Sequence, residues 1–237
     1  MAGDPRLSVV IPCYNEEQRL PRTIDRIESY LGAKQPSYEI VLVDDGSTDG
    51  TRLIMDAAAA KNSAVRVEAL PHNRGKGRAL AVGVAVARGA EILVTDADLS
   101  TPIEELDDLQ VALAGGAGVA IASRAVRGAR VEVSQHLYRV MMGKAFNLLV
   151  QAVLLPGIWD TQCGFKLFRA DIAHDVFANL TTDGFGYDPE VLYRARRKGV
   201  KIAEVPVVWR NSAPTKVSAM SSSVDMFKHV LRIRFKK

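Results

Sequence analysis

The sequence predicts an α/β protein built on a mostly parallel sheet flanked by helices. Three observations carry this. Short β-branched runs alternate with amphipathic or Ala-rich segments from Leu7 to Ala122, the order that packs as a parallel sheet with helices on its faces. The connections have lengths usual for such units. Several strands run straight into polar, acid-bearing turns, and ligands of open α/β sheets bind beyond those carboxyl ends.

Leu7–Ile11 reads as a strand stopped by Pro12. Leu20, Ile24, Ile27 and Leu31 recur at helical spacing and put a helix over Glu16–Leu31. Glu39–Val43 is a second strand, running into the turn-rich Asp44-Asp45-Gly46-Ser47-Thr48-Asp49-Gly50. Thr51–Lys61 is helical, Val65–Leu70 a strand, and Arg78–Arg88 a helix with small residues on one face. Glu91–Thr95 is a buried strand ending in Asp96-Ala97-Asp98. Ile103–Leu113 is a helix and Val119–Ala122 a strand.

Past residue 123 the pattern changes. Ser123–Glu132 is a polar loop carrying Arg124, Arg127 and Arg130. Gln135–Leu155 is a long helical stretch, Asp160–Phe168 a turn and strand, and Ile172–Leu180 and Asp188–Lys198 are helices. Lys201–Val208 is a strand, Asn211–Ser223 a loop, and Val224–Lys237 a basic helix. No linker-like composition divides the chain. Residues 1–237 are therefore expected to form a single domain: a first half of about 7–122, a second half of 123–220 packed on it, and a C-terminal helix over 221–237.

Across 237 residues, 48% hydrophobic and 24% charged content are those of a globular protein with a sizeable core. The net charge of +4 is modest, but basic residues cluster at Arg124–Arg130 and at Lys228–Lys237. Such patches suit phosphates, anionic lipid or nucleic acid. Aromatic content of 6% gives little support to base-stacking platforms, so nucleic acid is not an expected partner. Cys13 and Cys163 make no disulfide framework and read as buried small hydrophobes in a reducing compartment. The N-terminus has no apolar signal region, and no run reaches the roughly 20 apolar residues of a membrane span. The expectation is a soluble or peripheral protein.

Asp96 and Asp98 carry the first chemical signal. On an extended chain they would point to the same side. Two such carboxylates repel each other unless a cation or hydrogen-bond donors lie between them. Hard oxygens suit Mg²⁺ or Mn²⁺, particularly with substrate phosphates completing the shell. The alternative is that Asp98 caps the following helix and Asp96 is merely solvated. Asn73-Arg74-Gly75-Lys76-Gly77 looks like a phosphate loop, but Leu70 and Gly77 break the Walker A pattern and Leu80 breaks GxGxxG. The EF-hand pattern is met only in part at Asp45, Asp49 and Gly50, behind a strand where a helix should stand.

One pattern covers nearly the whole chain. Val9-Val10-Ile11-Pro12-Cys13-Tyr14-Asn15-Glu16-Glu17, Val43-Asp44-Asp45-Gly46-Ser47-Thr48-Asp49, Asn73-Arg74-Gly75-Lys76-Gly77 and Asp96-Ala97-Asp98, in this order, resemble the family-2 inverting glycosyltransferases of GT-A fold. Asp96–Pro102 and Asp160-Thr161-Gln162-Cys163-Gly164-Phe165-Lys166-Leu167-Phe168 look like the dolichyl-phosphate β-glucosyltransferase branch, whose near relatives are the dolichyl-phosphate mannose synthases. The usual eukaryotic form of that branch carries an N-terminal membrane helix; none is expected in residues 1–237.

The resemblance implies a metal-dependent hexosyltransferase and a set of roles. Pro12, Tyr14, Glu16 and Asp44 would hold the base and ribose of a nucleotide sugar, with Asp45 and Arg74–Lys76 beside them. Asp96 and Asp98 would be the DxD pair, holding nucleotide and Mg²⁺ or Mn²⁺. The acceptor would be a polyprenyl phosphate, largely dianionic at neutral pH and in need of cations rather than a base. Ser123 and Arg124 stand where the family places an acceptor-phosphate arginine, and Arg139 and Lys144 in a second phosphate-binding segment. Arg127 and Arg130 are flexible-loop candidates, and Gly164 a candidate near the sugar. Asp188 is read as binding a sugar hydroxyl or capping a helix. Arg210 and Lys216 could close over the pyrophosphate.

The expected reaction moves glucose from UDP-glucose to the lipid phosphate, with inversion. Alternatives are a GDP-mannose-dependent mannosyltransferase, a member with a sugar-hydroxyl acceptor, or a non-catalytic nucleotide-sugar-binding module at a membrane. The expected location is the cytoplasmic side, peripheral on the inner face of a membrane. Val224, Phe227, Val230, Leu231 and Phe235 can share one face of a basic helix, either an interfacial composition or a helix docked on the core with solvated lysines; the segment 146–158 is a second candidate for touching lipid.

Overall fold

The structure, a computed structural model, describes residues 4–132, 137–210 and 230–235, with backbone alone for 137–142 and 144. Strands β1 (Leu7–Cys13), β2 (Tyr38–Asp44), β3 (Val65–Ala69), β4 (Glu91–Val94) and β5 (Val119–Ser123) alternate with helices α1 (Leu20–Lys34), α2 (Thr51–Lys61), α3 (Lys76–Val86) and α4 (Leu106–Ala114). There follow β6 (Arg130–Val131), α5 (Leu137–Val153), β7 (Lys166–Arg169), α6 (Ala170–Ala178), α7 (Tyr187–Arg197), β8 (Ile202–Pro206) and β9 (Val208–Trp209).

Among the described residues seven strands form one sheet in the order β3-β2-β1-β4-β7-β5-β8, and β6 pairs with β9. The pairings are parallel except those of β7, which runs antiparallel to β4 and β5. The chain winds outward from β1 through β2 to β3, then returns to place β4 on the other side of β1. That reversal opens a crevice at the carboxyl ends of β1 and β4. Because β7 is inverted, its first residue, Lys166, pairs with Val94 at the end of β4. The turn before β7 thereby reaches the same rim.

Side-chain alternation divides the core into two clusters. Val9, Ile11, Ile40 and Leu42 pack with Leu20, Ile27, Met55 and Leu109 of α1, α2 and α4. Val10, Val41, Val43 and Val94 pack with Leu80, Val150, Phe177 and Val191 of α3, α5, α6 and α7. Strands covered on both faces are apolar throughout, and Leu7, Val9, Val10 and Ile11 have no exposed surface. Cys13 and Cys163 are buried free thiols, as expected.

The structure differs from several sequence expectations. Pro12 does not stop β1. Thr95 N–H donates to Val10 O, so Val10 and Pro12 face β4, whose ladder with β1 ends at Val10 and Val94. The missing N–H of Pro12 therefore costs no pairing. α1 starts at Leu20 instead of Glu16, with Pro21 in its first turn, where a lost donor is harmless. The strand expected over Lys201–Val208 breaks after Pro206, and its last piece pairs with β6. The helix from Ile103 opens with a 3₁₀ turn, Ile103–Glu105. Lys216 and residues 211–229 of the expected loop and basic helix lie outside the described residues; 230–235 are helical. No helix among the described residues is long and apolar enough to cross a membrane.

Candidate active site

The acid pair leaves the strand. β4 ends at Val94, and Asp96–Leu99 form a turn closed by Leu99 N–H on Asp96 O (3.3 Å), with Leu99 at φ 45°. Asp98 Oδ1 accepts the Ser100 N–H (2.9 Å), an Asx turn. Thr23 Oγ1 donates to Ala97 O (2.6 Å) and ties the turn to α1. The two acids are thus not presented by an extended strand. Asp96 lies between Lys76 Nζ, which it contacts, and Gly164, where a Cβ would stand 2.1 Å from Asp96 Oδ2. The Asp96 side chain remains 39% exposed.

Lys76 opens α3. Burial would push its ammonium down, but Asp96 and Asp188 raise it above the ordinary lysine value. The loop before it is clamped from below. Asp45 accepts Arg74 N–H at Oδ1 and Gly75 N–H at Oδ2, both at 2.8 Å. From above, Asp183 O accepts Arg78 N–H (3.1 Å). Gly77 has no room for a Cβ, which would meet Thr182 O at 2.4 Å. The glycines of the phosphate-loop-like segment thus serve close packing of 182–187 on the start of α3, and Asp45 is committed to backbone. Asp44 Oδ1 accepts Ser47 N–H (2.9 Å). Pro12 is half-buried, Tyr14 exposed, and Glu16 forks onto Arg19 at 2.7 Å.

Lys166 and Asp188 form a buried ion pair across the rim, and Lys166 Nζ also donates to Cys163 O (2.6 Å). Asp188 sits in the first turn of α7, where a carboxylate complements the helix dipole. The Tyr187 ring lies 5.5 Å from Lys76 Nζ and 5.9 Å from Lys166 Nζ.

Arg124 follows β5 on the same rim. Its Nε and Nη2 donate to Asp160 Oδ2 (2.7 Å) and Oδ1 (2.9 Å), and its backbone N–H donates to Oδ2 (2.9 Å). Burial would push the Asp160 carboxyl up, but Arg124 outweighs it and holds it below the usual range. The Trp209 ring lies 5.4 Å from the guanidinium carbon. Ser123 is buried, its hydroxyl accepting Ala125 N–H (3.3 Å). Arg127 and Arg130 are exposed, Arg130 on β6. Arg210 donates to Glu132 (2.7 Å) at the surface. Arg139 and Lys144 fall on α5, their side chains outside the described part.

The model of glycosyl transferase family 2 matches residues 8–177. The chain belongs to this family. Dolichyl-phosphate beta-glucosyltransferases of Dictyostelium discoideum, Homo sapiens and Saccharomyces cerevisiae are 35%, 36% and 33% identical, over 97%, 98% and 96% of this chain and 74%, 75% and 74% of their own lengths. The fold is that of glucosyl-3-phosphoglycerate synthase from Mycobacterium tuberculosis. Its complex with Mn²⁺, uridine diphosphate and glucosyl-3-phosphoglycerate superposes with a TM-score of 0.72 at 22% identity, over 97% of this chain and 80% of that one. Its complex with Mn²⁺ and UDP-glucose gives a TM-score of 0.71 at 22% identity, over 97% and 79%. This glycosyltransferase therefore has the GT-A architecture.

Sequence reasoning did not single out Lys166, the partner of Asp188, or Asp160 and Trp209, the partners of Arg124. A signal existed for Lys166: a lysine inside the apolar run Gly164-Phe165-Lys166-Leu167-Phe168 cannot be buried without a partner. Asp160 heads the motif Asp160–Phe168, but its partner Arg124, 36 residues away, was not legible from that motif.

Proposed function

We propose that this glycosyltransferase moves glucose from UDP-glucose to the phosphate of a dolichyl-type polyprenol, with inversion, releasing UDP. One observation carries the choice of acceptor. Asp188, an acid in the first turn of α7 at this rim, is buried and ion-paired with Lys166, so it is not presented as a free base. A hydroxyl must lose a proton to attack. A phosphate monoester, with a second pKa of about 6, is already a dianion and needs a cationic dock instead. Arg124 supplies a guanidinium at that rim. The likeness to dolichyl-phosphate beta-glucosyltransferases supports the same donor and acceptor.

The donor set at Asp96 and Asp98 fits a divalent ion of the Mg²⁺ or Mn²⁺ kind. Both are hard carboxylates, Asp96 keeps 39% of its side chain exposed at the rim, and Gly164 lets that carboxylate lie against its backbone. Among the described residues no cluster of three or more His, Cys, Asp or Glu side chains is placed to hold a metal. Two carboxylates completed by diphosphate oxygens and water is the usual manner of such ions at nucleotides. When bound, the ion would offset the charge that builds on the leaving diphosphate.

The residues divide the remaining work. Pro12, Tyr14, Glu16 and Asp44, at the ends of β1 and β2, hold the base and ribose. Lys76 adds positive charge beside Asp96, near the diphosphate. Arg124 docks the acceptor phosphate, with Arg139, Lys144 and Arg130 alongside, and presents its oxygen to the face of the anomeric carbon opposite the nucleotide. Arg210 and Lys216 close the diphosphate side. Asp188 holds Lys166. The lipid tail comes from a bilayer, so the protein works peripherally at the cytoplasmic face. The exposed Leu231 and Phe235 beside Arg232 and Arg234 have an interfacial composition.

The test is a turnover assay with UDP-glucose, Mn²⁺ or Mg²⁺, and either a short polyprenyl phosphate or the matching polyprenol. Glucosyl transfer to the phosphate and none to the alcohol is expected. Transfer to the alcohol at a comparable rate would overturn the acceptor assignment.

A further inference from the structure

Arg124 is held by Asp160, but Asp160 lies in an irregular segment between α5 and β7. Within that segment Asp160 Oδ1 accepts the Gln162 N–H (3.2 Å), two residues on. The backbone that carries the carboxylate is held to the sheet by Glu204 on β8. Its two oxygens accept consecutive backbone N–H groups, Oε2 from Trp159 (2.7 Å) and Oε1 from Asp160 (2.9 Å). Glu204 is itself anchored by sheet register, opposite Ile121 of β5, two residues before Ser123. The strand that delivers Arg124 and the strand that delivers Glu204 are therefore neighbours. The loop carrying Asp160 is gripped between them.

We infer that Glu204 is a positioning residue for the acceptor site: it sets the Asp160 carboxylate, which in turn orients the Arg124 guanidinium. The chain of contacts runs from backbone to carboxylate to guanidinium. Asp160 offers Oδ1 and Oδ2 in the fork geometry that guanidinium matches. Trp209 covers Arg124 from another side, 5.4 Å from the guanidinium carbon. Arg124 keeps part of its surface open, with 28% of its side chain exposed. A cation pre-set in this way loses little conformational freedom when a phosphate docks on it. Glu204 does not touch the substrate and takes part through two intermediaries.

The inference rests on the assignment of Arg124 to the acceptor phosphate, so the experiment separates the two. Full-length Glu204→Ala, Glu204→Gln and Arg124→Lys variants are assayed with UDP-glucose, Mn²⁺ and a short polyprenyl phosphate. Each substrate is varied in turn, and the Arg Nε–H signals are followed by NMR. Glu204→Ala should raise the acceptor KM by about tenfold, the scale of a lost charge-assisted hydrogen bond, with the UDP-glucose KM nearly unchanged. Glu204→Gln should recover only part of that loss, since its amide oxygen still accepts one N–H while its NH₂ faces the other. The Arg124 Nε–H signal should be sharp in the wild type and broadened in Glu204→Ala. An acceptor KM that rises in Arg124→Lys but not in Glu204→Ala would overturn the positioning role alone. Equal rises for both substrates in Glu204→Ala would overturn it too, pointing to general loosening. An unchanged acceptor KM in Arg124→Lys would overturn the acceptor assignment and the inference with it.

Discussion

Gly164 and Asp96 stand so close that the glycine's missing side chain is part of how the acid is placed. A Cβ at position 164 would lie 2.1 Å from Asp96 Oδ2 and 2.7 Å from its Cγ. Backbone conformation is not the constraint, because Gly164 has no positive φ. Gly164→Ala should therefore fold, at a cost of about 1 kcal/mol, while turning the Asp96 carboxylate away. A displacement of about 1 Å at a reacting centre can cost roughly 100-fold in rate. We expect a loss of that order in kcat/KM and a weakened Mn²⁺-dependent affinity for UDP-glucose by titration calorimetry. Wild-type affinity in a folded Gly164→Ala protein would remove Asp96 from the donor site.

The buried pair of Lys166 and Asp188 makes a different prediction, about stability. Lys166→Met leaves a carboxylate buried without its partner, which costs about 3–5 kcal/mol. Replacing both, as in Lys166→Met with Asp188→Leu, removes the uncompensated charge and should recover most of the loss, because apolar replacements of buried pairs are often near neutral. Urea denaturation of the four proteins in the cycle gives the coupling. If the two losses simply add, Lys166 and Asp188 are not coupled as a pair.

Glu39 contributes an acid-sensitive network at the opposite end of the sheet. Burial would push its carboxyl up, but Ser8, the Arg88 backbone and side chain, and Arg66 outweigh burial and hold it below the usual range. In the window between its folded and unfolded values the unfolded chain binds more protons. Its stabilisation is therefore complete above the ordinary glutamate value of about 4.3 and is lost as pH falls through the lower folded value. Glu39→Gln should cost about 2 kcal/mol at neutral pH, since Arg66 and Arg88 can turn partly to solvent. The difference from wild type should vanish in acid. A gap that persists at low pH would mean that the network does not act through the ionised carboxylate.

The strand and helix order was legible because it depends on local patterning. Thr51–Lys61 has the bounds expected from composition, and Leu20, Ile24, Ile27 and Leu31 are buried on one face as their spacing required. The family and its acid pair were legible because their motifs are contiguous. What was not legible depends on distant partners. The reversal of β7 is set by its neighbours β4 and β5, and nothing in Lys166–Arg169 encodes direction. The turn at Asp96–Leu99 replaced the expected extended chain because Leu99 adopts φ 45°, which is unusual outside glycine. Glu204 read as one acid in a strand; its meaning lies 44 residues away at Asp160.

Asp45 separates direct nucleotide binding from support of the loop that approaches the diphosphate. Both of its oxygens accept backbone N–H groups, from Arg74 and Gly75, so the carboxylate already holds that loop before any ligand is bound. Asn at this position keeps one acceptor and turns an NH₂ toward a backbone donor, at a cost of about 1–3 kcal/mol. The loop leads into Lys76, so Asp45→Asn should displace the charge beside Asp96. Binding should then weaken more for UDP-glucose than for uridine, by about tenfold, because uridine has no diphosphate to feel Lys76. Equal losses for the two ligands, measured by calorimetry on folded protein, would return Asp45 to direct contact with the nucleoside.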